Sequence, residues 1–374
     1  MMNHEVKKII IAGGGIGGLS AAISLGKAGF EVTLCEAASD MRKSGAGILQ
    51  PQNALRVLQE IGVYDECCQH GFQTEWLKQH DENGTLQFKV SEAFLDDSLP
   101  GRNNILRQTL NDILRKHAEA AGVTILPGKK VVSYEETADE ITVHCGDGTA
   151  MTADILAGFD GIRSAVRDHM LQREVKTEYL GMGAHRFYIS FPEPVFHDSA
   201  LMYKKGQTQV GVVPLSEKTG YVFIIRPYDA DFRDDEDTRF ERVRDLLRGI
   251  PGVKFVTENM SKEYPVLFHK IEQMAVKEPW HRGRVVLGGD AVHAGAPTLA
   301  QGAAMAIEDA IVLSEELQKH ENHETACQAY FERRAERALQ VQNLSSEIVR
   351  REIKGTPGVQ DIIGECYRLL KEPY

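Results

Sequence analysis

Three glycines near the beginning of the chain have the spacing of a phosphate-binding turn. Gly13, Gly15 and Gly18 form G-x-G-x-x-G directly after an apolar run, and Glu36 follows about twenty residues later. In this pattern the first glycine permits a tight turn, the second lets the main chain approach a pyrophosphate, and the third lets helix and strand pack closely. Glu36 would accept hydrogen bonds from a ribose. Together with Ile16, which opens the helix, these residues predict a dinucleotide site.

The elements around the glycines are those that such a site requires. Lys7 to Ala12 is continuously apolar after its first residues, as expected of a parallel strand buried on both faces. A helical pattern then runs to Gly29, and Glu31 to Glu36 is a second strand. This βαβ unit would direct the unsatisfied N–H groups of a helix N-terminus at an anion.

The rest of the chain changes character twice. Amphipathic helices are predicted at 53–61, 105–121 and 302–318. Between about 179 and 268, short β-rich segments dominate, with one helix at 237–248. This order predicts a nucleotide-binding α/β fold that is interrupted by a mostly antiparallel sheet.

Composition excludes several classes of protein. The chain has 374 residues and a formal charge of −11, from 43 basic and 54 acidic side chains, so general attraction to nucleic acid or to anionic lipid is not expected. No apolar run approaches the roughly 20 residues that span a bilayer. Six cysteines without a C-x-x-C pair indicate neither a disulfide framework nor a dithiol centre, and we expect a cytoplasmic protein without a protein-bound metal.

Two further segments carry a resemblance to a known family. Residues 158–167 (GFDGIRSAVR) resemble the "DG" motif of single-component flavoprotein aromatic hydroxylases, and residues 284–309 (RVVLGGDAVHAGAPTLAQGAAMAIED) resemble their "GD" motif. With the glycine turn, the three motifs stand in the family's order across nearly the whole chain. The sequence is therefore similar to the FAD-dependent monooxygenases that resemble p-hydroxybenzoate hydroxylase.

The resemblance implies a fold and a division into domains. We expect an α/β protein with a Rossmann-like FAD-binding domain (GR2-type), interrupted by a mostly antiparallel β-sheet substrate domain and followed by C-terminal helices. The expected ranges are 1–70, 101–178 and 274–345 for the FAD-binding domain, 71–100 and 179–273 for the substrate-binding domain, and 346–374 for the helical tail.

The resemblance also implies roles for single residues. Beyond the glycine turn and Glu36, it assigns FAD contacts to Arg107, Asp160, Gly161, Asp290, Pro297, Gly302 and Ala303. It places Arg42 and Arg163 near the path of NAD(P)H. The helix that begins near Gly302 would direct its N-terminus at the flavin ring. The family usually has Gly-Gln-Gly where this chain has Ala300-Gln301-Gly302, which leaves the backbone conformation at Ala300 open. His293 is expected to order the loop beside the pyrophosphate.

No catalytic side chain is identified from the sequence. The candidates lie in the predicted sheet domain, where each is more readily explained by packing: His185, Tyr188, Tyr203 and Tyr221. Alternation puts His185 on one face of its strand and Tyr188 on the other, and the inward face is not decided. Arg186 or Arg226 could bind a carboxylate.

The expected reaction follows from the resemblance. It is hydroxylation of a small aromatic or heteroaromatic molecule, phenol-like, pyridine-like or quinolone-like, with FAD as cofactor and NADH or NADPH and O₂ as co-substrates. No second G-x-G-x-x-G follows a strand, so no separate NAD(P)H domain is expected. The alternatives are a flavin-dependent reductase or dehydrogenase without oxygen insertion, and a non-catalytic flavin-binding protein. The oligomeric state is left as monomer or homodimer.

Overall fold

The secondary structure is an irregular alternation of strands and helices. The computed structural model describes residues 6–40 and 47–374. The strands are β1 Lys8–Ala12, β2 Glu31–Glu36, β3 Gly47–Pro51, β4 Phe72–Thr74, β5 Trp76–Asp81, β6 Leu86–Ser91, β7 Arg102–Leu106, β8 Thr124–Pro127, β9 Val131–Glu136, β10 Ile141–Cys145, β11 Ala150–Ala153, β12 Ile155–Gly158, β13 Glu178–Ser190, β14 Ser199–Lys205, β15 Thr208–Pro214, β16 Thr219–Pro227, β17 Leu267–Gln273, β18 His281–Arg282 and β19 Val285–Leu287. The helices are α1 Ile16–Lys27, α2 Gln52–Glu60, α3 Tyr64–His70, α4 Arg107–Ala120, α5 Ala165–Leu171, α6 Glu236–Arg248, α7 Lys254–Asn259, α8 Asp290–His293, α9 Gly302–Lys319, α10 His323–Lys354 and α11 Val359–Lys371.

The central sheet is parallel except at one edge. Its order is β18-β19-β12-β1-β2-β8, and only β18 runs antiparallel to its neighbour. The residues of β1 from Ile9 to Ala12 are all buried, as expected for a strand covered on both faces. Because β1 lies between β12 and β2, the turn that follows it opens at the carboxyl edge of the sheet, where ligands of such folds bind.

A second, larger sheet forms the inserted part of the chain. Its seven strands have the order β17-β13-β16-β15-β14-β5-β6, and all neighbours are antiparallel except β14 and β5. One face of this sheet packs against α6 and α7 through a buried apolar cluster that includes Phe187, Val222 and Val253. The predicted Rossmann-like α/β architecture with a mostly antiparallel second sheet is confirmed.

Two small antiparallel sheets and the C-terminal helices complete the fold. Strands β9, β10 and β11 form one small sheet, and β7 pairs with β3 and β4 in the other. Helix α10 runs without interruption past residue 345, and α11 packs beside it. None of the helices within the described ranges is long and apolar enough to cross a membrane.

Candidate active site

Two of the three glycines in the turn have no room for a side chain, and the third has free space beside it. Gly13 has φ +105°, and a Cβ there would lie 2.3 Å from the carbonyl oxygen of Phe159. A Cβ on Gly18 would lie 1.9 Å from the carbonyl oxygen of Gly13. A Cβ on Gly15, by contrast, would meet no atom within 4 Å. Gly13 and Gly18 are therefore required by the fold, whereas the space beside Gly15 is available to a ligand.

Within the described ranges, the N-terminus of α1 faces this open space without a capping side chain. Gly15 is the N-cap residue, and the first turn of the helix has no acidic residue. Ile16 is the first residue of the helix and is buried. The uncapped N–H groups and the partial positive charge of the helix end suit a phosphate group.

Glu36 is held at the edge of the same space. Its Oε2 accepts a hydrogen bond from the main-chain N–H of Gly14 at 2.6 Å, and its Oε1 accepts one from Ala38 at 2.7 Å. These bonds fix the orientation of the carboxylate at the end of β2. Each oxygen keeps a further lone pair, so Glu36 could also accept a ribose hydroxyl.

These groups line a cleft of about 250 Å³. Five of the residues expected at FAD border it, together with Arg163, which was expected near NAD(P)H; the five are Gly13, Gly15, Glu36, Asp160 and Gly161. Lys129 and Lys130 border it as well, and the sequence analysis missed both. Lys129 donates hydrogen bonds to Asp147 and Thr149. No local pattern marks these lysines, because they enter the site only through the pairing of β8 with β2.

The carboxylate of Asp160 stabilises the beginning of α5. It accepts hydrogen bonds from Ser164 Oγ at 2.5 Å and from the main-chain N–H of Ala165 at 2.8 Å, at the beginning of α5. Burial raises its pKa. Asp160 Oδ1 keeps a further lone pair for a ligand, and Gly161, at φ +83°, borders the cleft beside it.

Of the two basic residues expected near NAD(P)H, the structure describes one, Arg163. Arg163 is exposed and forms an ion pair with Glu272 of β17, with a nitrogen–oxygen distance of 3.2 Å. It thereby connects the cleft to the seven-stranded sheet. Arg42 lies outside the described residues.

A second uncapped helix end lies at the carboxyl edge of β19. Asp290 is exposed there and makes no hydrogen bond or ion pair with any residue that the structure describes. Its Oδ1 is 4.0 Å from where a Cβ on Gly302 would stand, so the carboxylate lies beside the first residue of α9. No side chain of residues 6–40 or 47–374 caps α9, and its first turn has no acidic residue. Pro297 is exposed in the preceding turn, and Ala303 is half-buried behind Gly302.

The turn before α9 keeps a glycine-like backbone at a residue that is not glycine. Ala300 has φ +55° and ψ +29°, in the left-handed region. The next side chain, Gln301, is buried and accepts a hydrogen bond from Asn53 Nδ2 at 2.7 Å. The conformation left open by the sequence is thus left-handed despite the Cβ of Ala300.

A buried ion network supports the loop that carries Asp290. Asp309 accepts hydrogen bonds from the main-chain N–H of Gly289 at 2.8 Å and from Arg334 Nε at 2.8 Å, and lies 2.6 Å from His293 Nε2. Burial alone would raise the pKa of Asp309, but the charges of His293 and Arg334 lower it to about 2. Burial alone would lower the pKa of His293, but Asp309 raises it. His293 therefore holds the loop rather than facing the cleft.

The four candidate catalytic residues lie on two faces of the large sheet. His185 packs between Tyr228 and Phe268, and burial lowers its pKa to about 4. Tyr203 stacks on His80 in the cluster against α7. Both side chains are on the face that α6 and α7 cover, away from the central sheet.

Tyr188 and Tyr221 are on the other face, which we call the cleft face. They are direct partners in the pairing of β13 with β16. A Cβ on Gly47 of β3 would lie 2.1 Å from the ring of Tyr221, and Ala184 of the same face clusters with Ala296, next to Pro297. The cleft face therefore looks toward the turn before α9, and only these two candidates can approach a ligand bound there.

Arginines are concentrated beside this face. Arg186 lies between Ala184 and Tyr188 in β13, and Arg107 is the exposed first residue of α4. Burial lowers the pKa of His269, which is the partner of Ala184 in β17, and the charges of Arg186, Arg239 and Arg107 lower it further. An ion pair that no sequence pattern marks, Glu92 with Arg102, contributes further charged groups near Tyr221, and its charged atoms are 2.7 Å apart.

Comparisons with known proteins agree with this geometry. Residues 6–345 match a family described as an FAD binding domain. The chain is 68% identical to YetM of Bacillus subtilis (strain 168), whose name assigns it provisionally to the FAD-dependent monooxygenases; the match covers 99% of this chain and 100% of that protein. It is 28% identical to 6-hydroxynicotinate 3-monooxygenase of Pseudomonas fluorescens, over 91% of this chain and 90% of the relative.

The fold is also that of a solved flavoprotein. HpxO of Klebsiella pneumoniae, complexed with FAD and uric acid, superposes with a TM-score of 0.87 at 24% identity, covering 98% of this chain and 97% of the other. The glycine turn, the two uncapped helix ends and the match over most of the chain lead to one assignment. The chain belongs to the FAD-binding-domain family and is an FAD-dependent monooxygenase of the kind that resembles p-hydroxybenzoate hydroxylase.

Proposed function

We propose that the enzyme uses NADH or NADPH and O₂ to hydroxylate a small, electron-rich aromatic or heteroaromatic molecule. The observation that carries this proposal is the cleft face, which presents Tyr188 and Tyr221 toward the turn before α9. Relatives whose names state a substrate act on nitrogen heterocycles such as 6-hydroxynicotinate and urate. A ring of that size and polarity suits a wall of aromatic side chains that also carries a charged group, Arg186.

The cofactor site of this proposal has two ends. The pyrophosphate would lie against Gly15 and the N-terminus of α1, with a ribose at Glu36. Asp290 would accept a hydroxyl of the ribityl chain, and Pro297, Gly302 and Ala303 would border the ring. The remaining contacts we propose are those of Gly13, Ile16, Gly18, Arg107, Asp160 and Gly161.

The protein's part in the chemistry is to bind, orient and exclude water. Bound FAD supplies the redox chemistry and the activation of O₂. The N-terminus of α9 would stabilise negative charge that develops on a ring placed against it. The cleft face would cover the substrate and keep the reaction dry. Tyr221 keeps its proton because burial raises its pKa, so its hydroxyl can donate a hydrogen bond but is not a base at neutral pH.

NAD(P)H would approach from the surface near Arg163 and Gly161. The exposed guanidinium of Arg163 suits a phosphate, and Arg42 is proposed to assist from the segment after β2. We further propose the division into an FAD-binding part, an inserted substrate-binding part and a helical tail, and a cytoplasmic monomer or homodimer.

The test of this function is a measurement of oxygen insertion. The purified protein should be yellow, and acid precipitation should release FAD into the supernatant. With ¹⁸O₂, a substrate that accelerates NAD(P)H oxidation should yield a product one labelled oxygen atom heavier. A reduced or desaturated product without label would assign the enzyme to the flavin reductases or dehydrogenases instead.

The residue assignments have their own test. Asp290→Asn should change the stability of the apoprotein by less than about 1 kcal/mol, because the carboxylate makes no hydrogen bond or ion pair with the described residues, while FAD affinity falls about tenfold or more. Fluorescence titration of the apoprotein with FAD measures the affinity. Wild-type affinity in this variant would contradict the role of Asp290.

A further inference from the structure

Helix α2 begins with two buried amide side chains that hold different parts of the chain. Gln52 makes hydrogen bonds through both ends of its amide, and all of these partners are main-chain groups of residues 94–99. Asn53 is fully buried, and its side chain makes a single hydrogen bond to the described residues, from Nδ2 to Gln301 Oε1 at 2.7 Å. Asn53 therefore connects α2 directly to the turn before α9.

Asn53 and Gln301, which we call the amide pair, leave two buried polar atoms without partners. Neither Asn53 Oδ1 nor Gln301 Nε2 has a hydrogen-bond partner within residues 6–40 and 47–374. Turning both amides by 180° would preserve the hydrogen bond between them but would again leave one donor and one acceptor unpaired. Because a buried polar atom without a partner costs free energy, two apolar side chains of the same shape would stabilise the fold at least as well. Stability alone does not explain the two amides.

The turn that ends at Gln301 is strained and is held from two sides. Ala300 has φ +55°, which a residue with a Cβ keeps only where the surrounding contacts enforce it. On one side, Thr298 Oγ1 donates a hydrogen bond to the carbonyl oxygen of Ser345 in α10 at 2.7 Å. On the other side, Asn53 holds the amide of Gln301, which is the N-cap residue of α9. Without the hydrogen bond from Asn53, this turn would be free to relax, and the first turn of α9 would move with it.

The first turn of α9 is the part of the helix that would lie against the flavin ring. Its N–H groups carry a partial positive charge, whose effect falls off within about one helical turn. Reduction of bound FAD adds negative charge to the ring, so a helix end that is held close to the ring favours the reduced state. The reduction potential of bound FAD should therefore respond to small displacements of this turn.

We propose that Asn53 is a positioning residue that sets the reduction potential of bound FAD, by fixing Gln301 and with it the first turn of α9. This inference rests on the proposed function, which puts the flavin ring at that turn. Asn53 lies in α2 and acts only through Gln301. The amide pair is suited to this role because a hydrogen bond fixes both the length and the direction of a contact, whereas two apolar side chains do not.

Four forms of the FAD-loaded protein test the proposal: the wild type, Asn53→Leu, Gln301→Met and the double variant. The reduction potential is read from the visible absorbance of the flavin in anaerobic equilibrium with a reference dye, which requires neither NAD(P)H nor substrate. We expect the potential to fall in all three variants by at least about 30 mV, which is a tenfold loss of preference for the reduced state in a two-electron couple. Because both substitutions remove the same hydrogen bond, the potential of the double variant should fall no further than that of the single ones.

The stability of the apoproteins separates positioning from a structural role. Each single variant leaves the remaining amide buried without any partner, so it should unfold at a lower urea concentration than the wild type. The double variant buries neither amide, so its urea midpoint should recover toward the wild-type value while its reduction potential does not. Asn103→Ala is the matched control, because Asn103 is equally buried and donates from Nδ2 to Gln50 and to the carbonyl oxygen of Cys67, away from the turn. This control should lose stability and keep its potential within about 9 mV, a twofold change in preference.

Three results would overturn the proposal. They are a fall of less than about 30 mV in the double variant, a larger fall there than in either single variant, and an equal fall in Asn103→Ala. The double variant decides alone where a single variant does not fold, and its failure to retain FAD would assign the amide pair to cofactor binding and refute the positioning role.

A failure of the proposed function gives a different outcome. If the potentials fall as expected but no labelled oxygen enters any product, Asn53 keeps its role and the reaction is another one. If labelled product forms and the potentials are unchanged, the monooxygenase reaction stands and the positioning role is refuted.

Discussion

Gly13 and Gly15 are two residues apart, and different demands make them glycines. At Gly13 the backbone has φ +105° and a Cβ would collide with Phe159, so the fold itself excludes a side chain. At Gly15 the backbone is extended with φ −77°, which any residue adopts, and a Cβ would meet no atom. A ligand that approaches the main chain explains the lack of a side chain at Gly15, in addition to the preference for glycine over alanine at an N-cap.

This contrast predicts opposite effects of one added methyl group. Gly15→Ala should change the stability of the apoprotein by less than about 1 kcal/mol, because the reduced backbone entropy offsets the weaker N-cap. Its FAD affinity should fall at least tenfold, since the Cβ occupies the phosphate's approach. Gly13→Ala should destabilise the apoprotein by more than about 2 kcal/mol, through left-handed strain and overpacking.

Urea unfolding of the apoproteins and fluorescence titration with FAD measure the two effects separately. If Gly15→Ala binds FAD as tightly as the wild type, the phosphate does not lie against this turn. Equal losses of stability in the two variants would contradict the presence of free space beside Gly15.

Single residues were predictable where the chain itself carries the pattern. The glycine turn and Glu36 lie within one βαβ unit, so spacing along the chain is also spacing in the site. Asp160 shows the limit of such reasoning, because its carboxylate has two possible neighbours, a ligand and the next helix. The hydrogen bonds to Ser164 and Ala165 belong to the helix, and the motif alone does not distinguish them.

Among the helices, α9 begins after a turn in which one residue, Ala300, has a strained backbone conformation. Ala300 is in the left-handed region, which costs roughly 1–2 kcal/mol for a residue with a Cβ. Ala300→Gly should therefore stabilise the protein by up to about 1 kcal/mol, after the larger entropy loss of glycine on folding is subtracted. Ala303→Gly, inside α9 three residues later, should destabilise it by about 0.5–1 kcal/mol.

Thermal or urea unfolding of the two variants compares the same atomic change in two backbone conformations. Destabilisation by Ala300→Gly would mean that the left-handed turn does not exist in solution.

The buried ion network makes the loop of Asp290 sensitive to pH. His293 faces Asp309, Asp290 and Arg334, and its pKa is raised above the ordinary value of 6.5. The stability that it contributes is complete below pH 6.5 and is lost as the pH rises through the folded-state pKa. The pKa of Asp309 is depressed to about 2, so its contribution is complete above pH 4 and is lost toward pH 2.

Two histidine variants should therefore respond to pH in opposite directions. The stability lost in His293→Gln should be largest at pH 5–6 and smaller at alkaline pH, because only the wild type loses the imidazolium. His185 has a folded-state pKa near 4, below its unfolded value, so it opposes folding between pH 6.5 and 4. The destabilisation by His185→Gln should accordingly shrink as the pH falls. Parallel pH profiles of urea unfolding for both variants would contradict these assignments.

The faces of the large sheet could not be predicted from β13 alone. Alternation correctly separates His185 from Arg186 and Tyr188, but the covered face is decided by α6 and α7, about fifty residues later in the chain. Helix α4 shows a similar limit, since the predicted helix from 105 begins at Arg107, and Ile105 belongs to β7. Pairing of Ile105 with Ile48 of β3 overrides the helical periodicity there.

In the whole molecule, the two large sheets both contribute residues to the proposed active site. The central sheet carries the glycine turn and Asp290, and the seven-stranded sheet carries the cleft face. The ion pair of Arg163 with Glu272 connects them beside the cleft. Because the chain has no second G-x-G-x-x-G after a strand, the nicotinamide of the proposed reaction would have to reach the flavin across the surface between these sheets.

This arrangement predicts that the substrate controls the reduction step. A site open to NAD(P)H is also open to water, and reduction without substrate would waste NAD(P)H and release H₂O₂. Substrate that fills the space beneath the cleft face should shift the protein toward its reducible state, through its greater affinity for that state. NAD(P)H oxidation in air should be slow alone and rise at least about tenfold with a true substrate, a bias of roughly 1.4 kcal/mol. A poor analogue should stimulate oxidation and yield mainly H₂O₂. Anaerobic stopped-flow reduction, with and without the best ligand, measures the step directly, and equal rates would show that the substrate does not gate this enzyme.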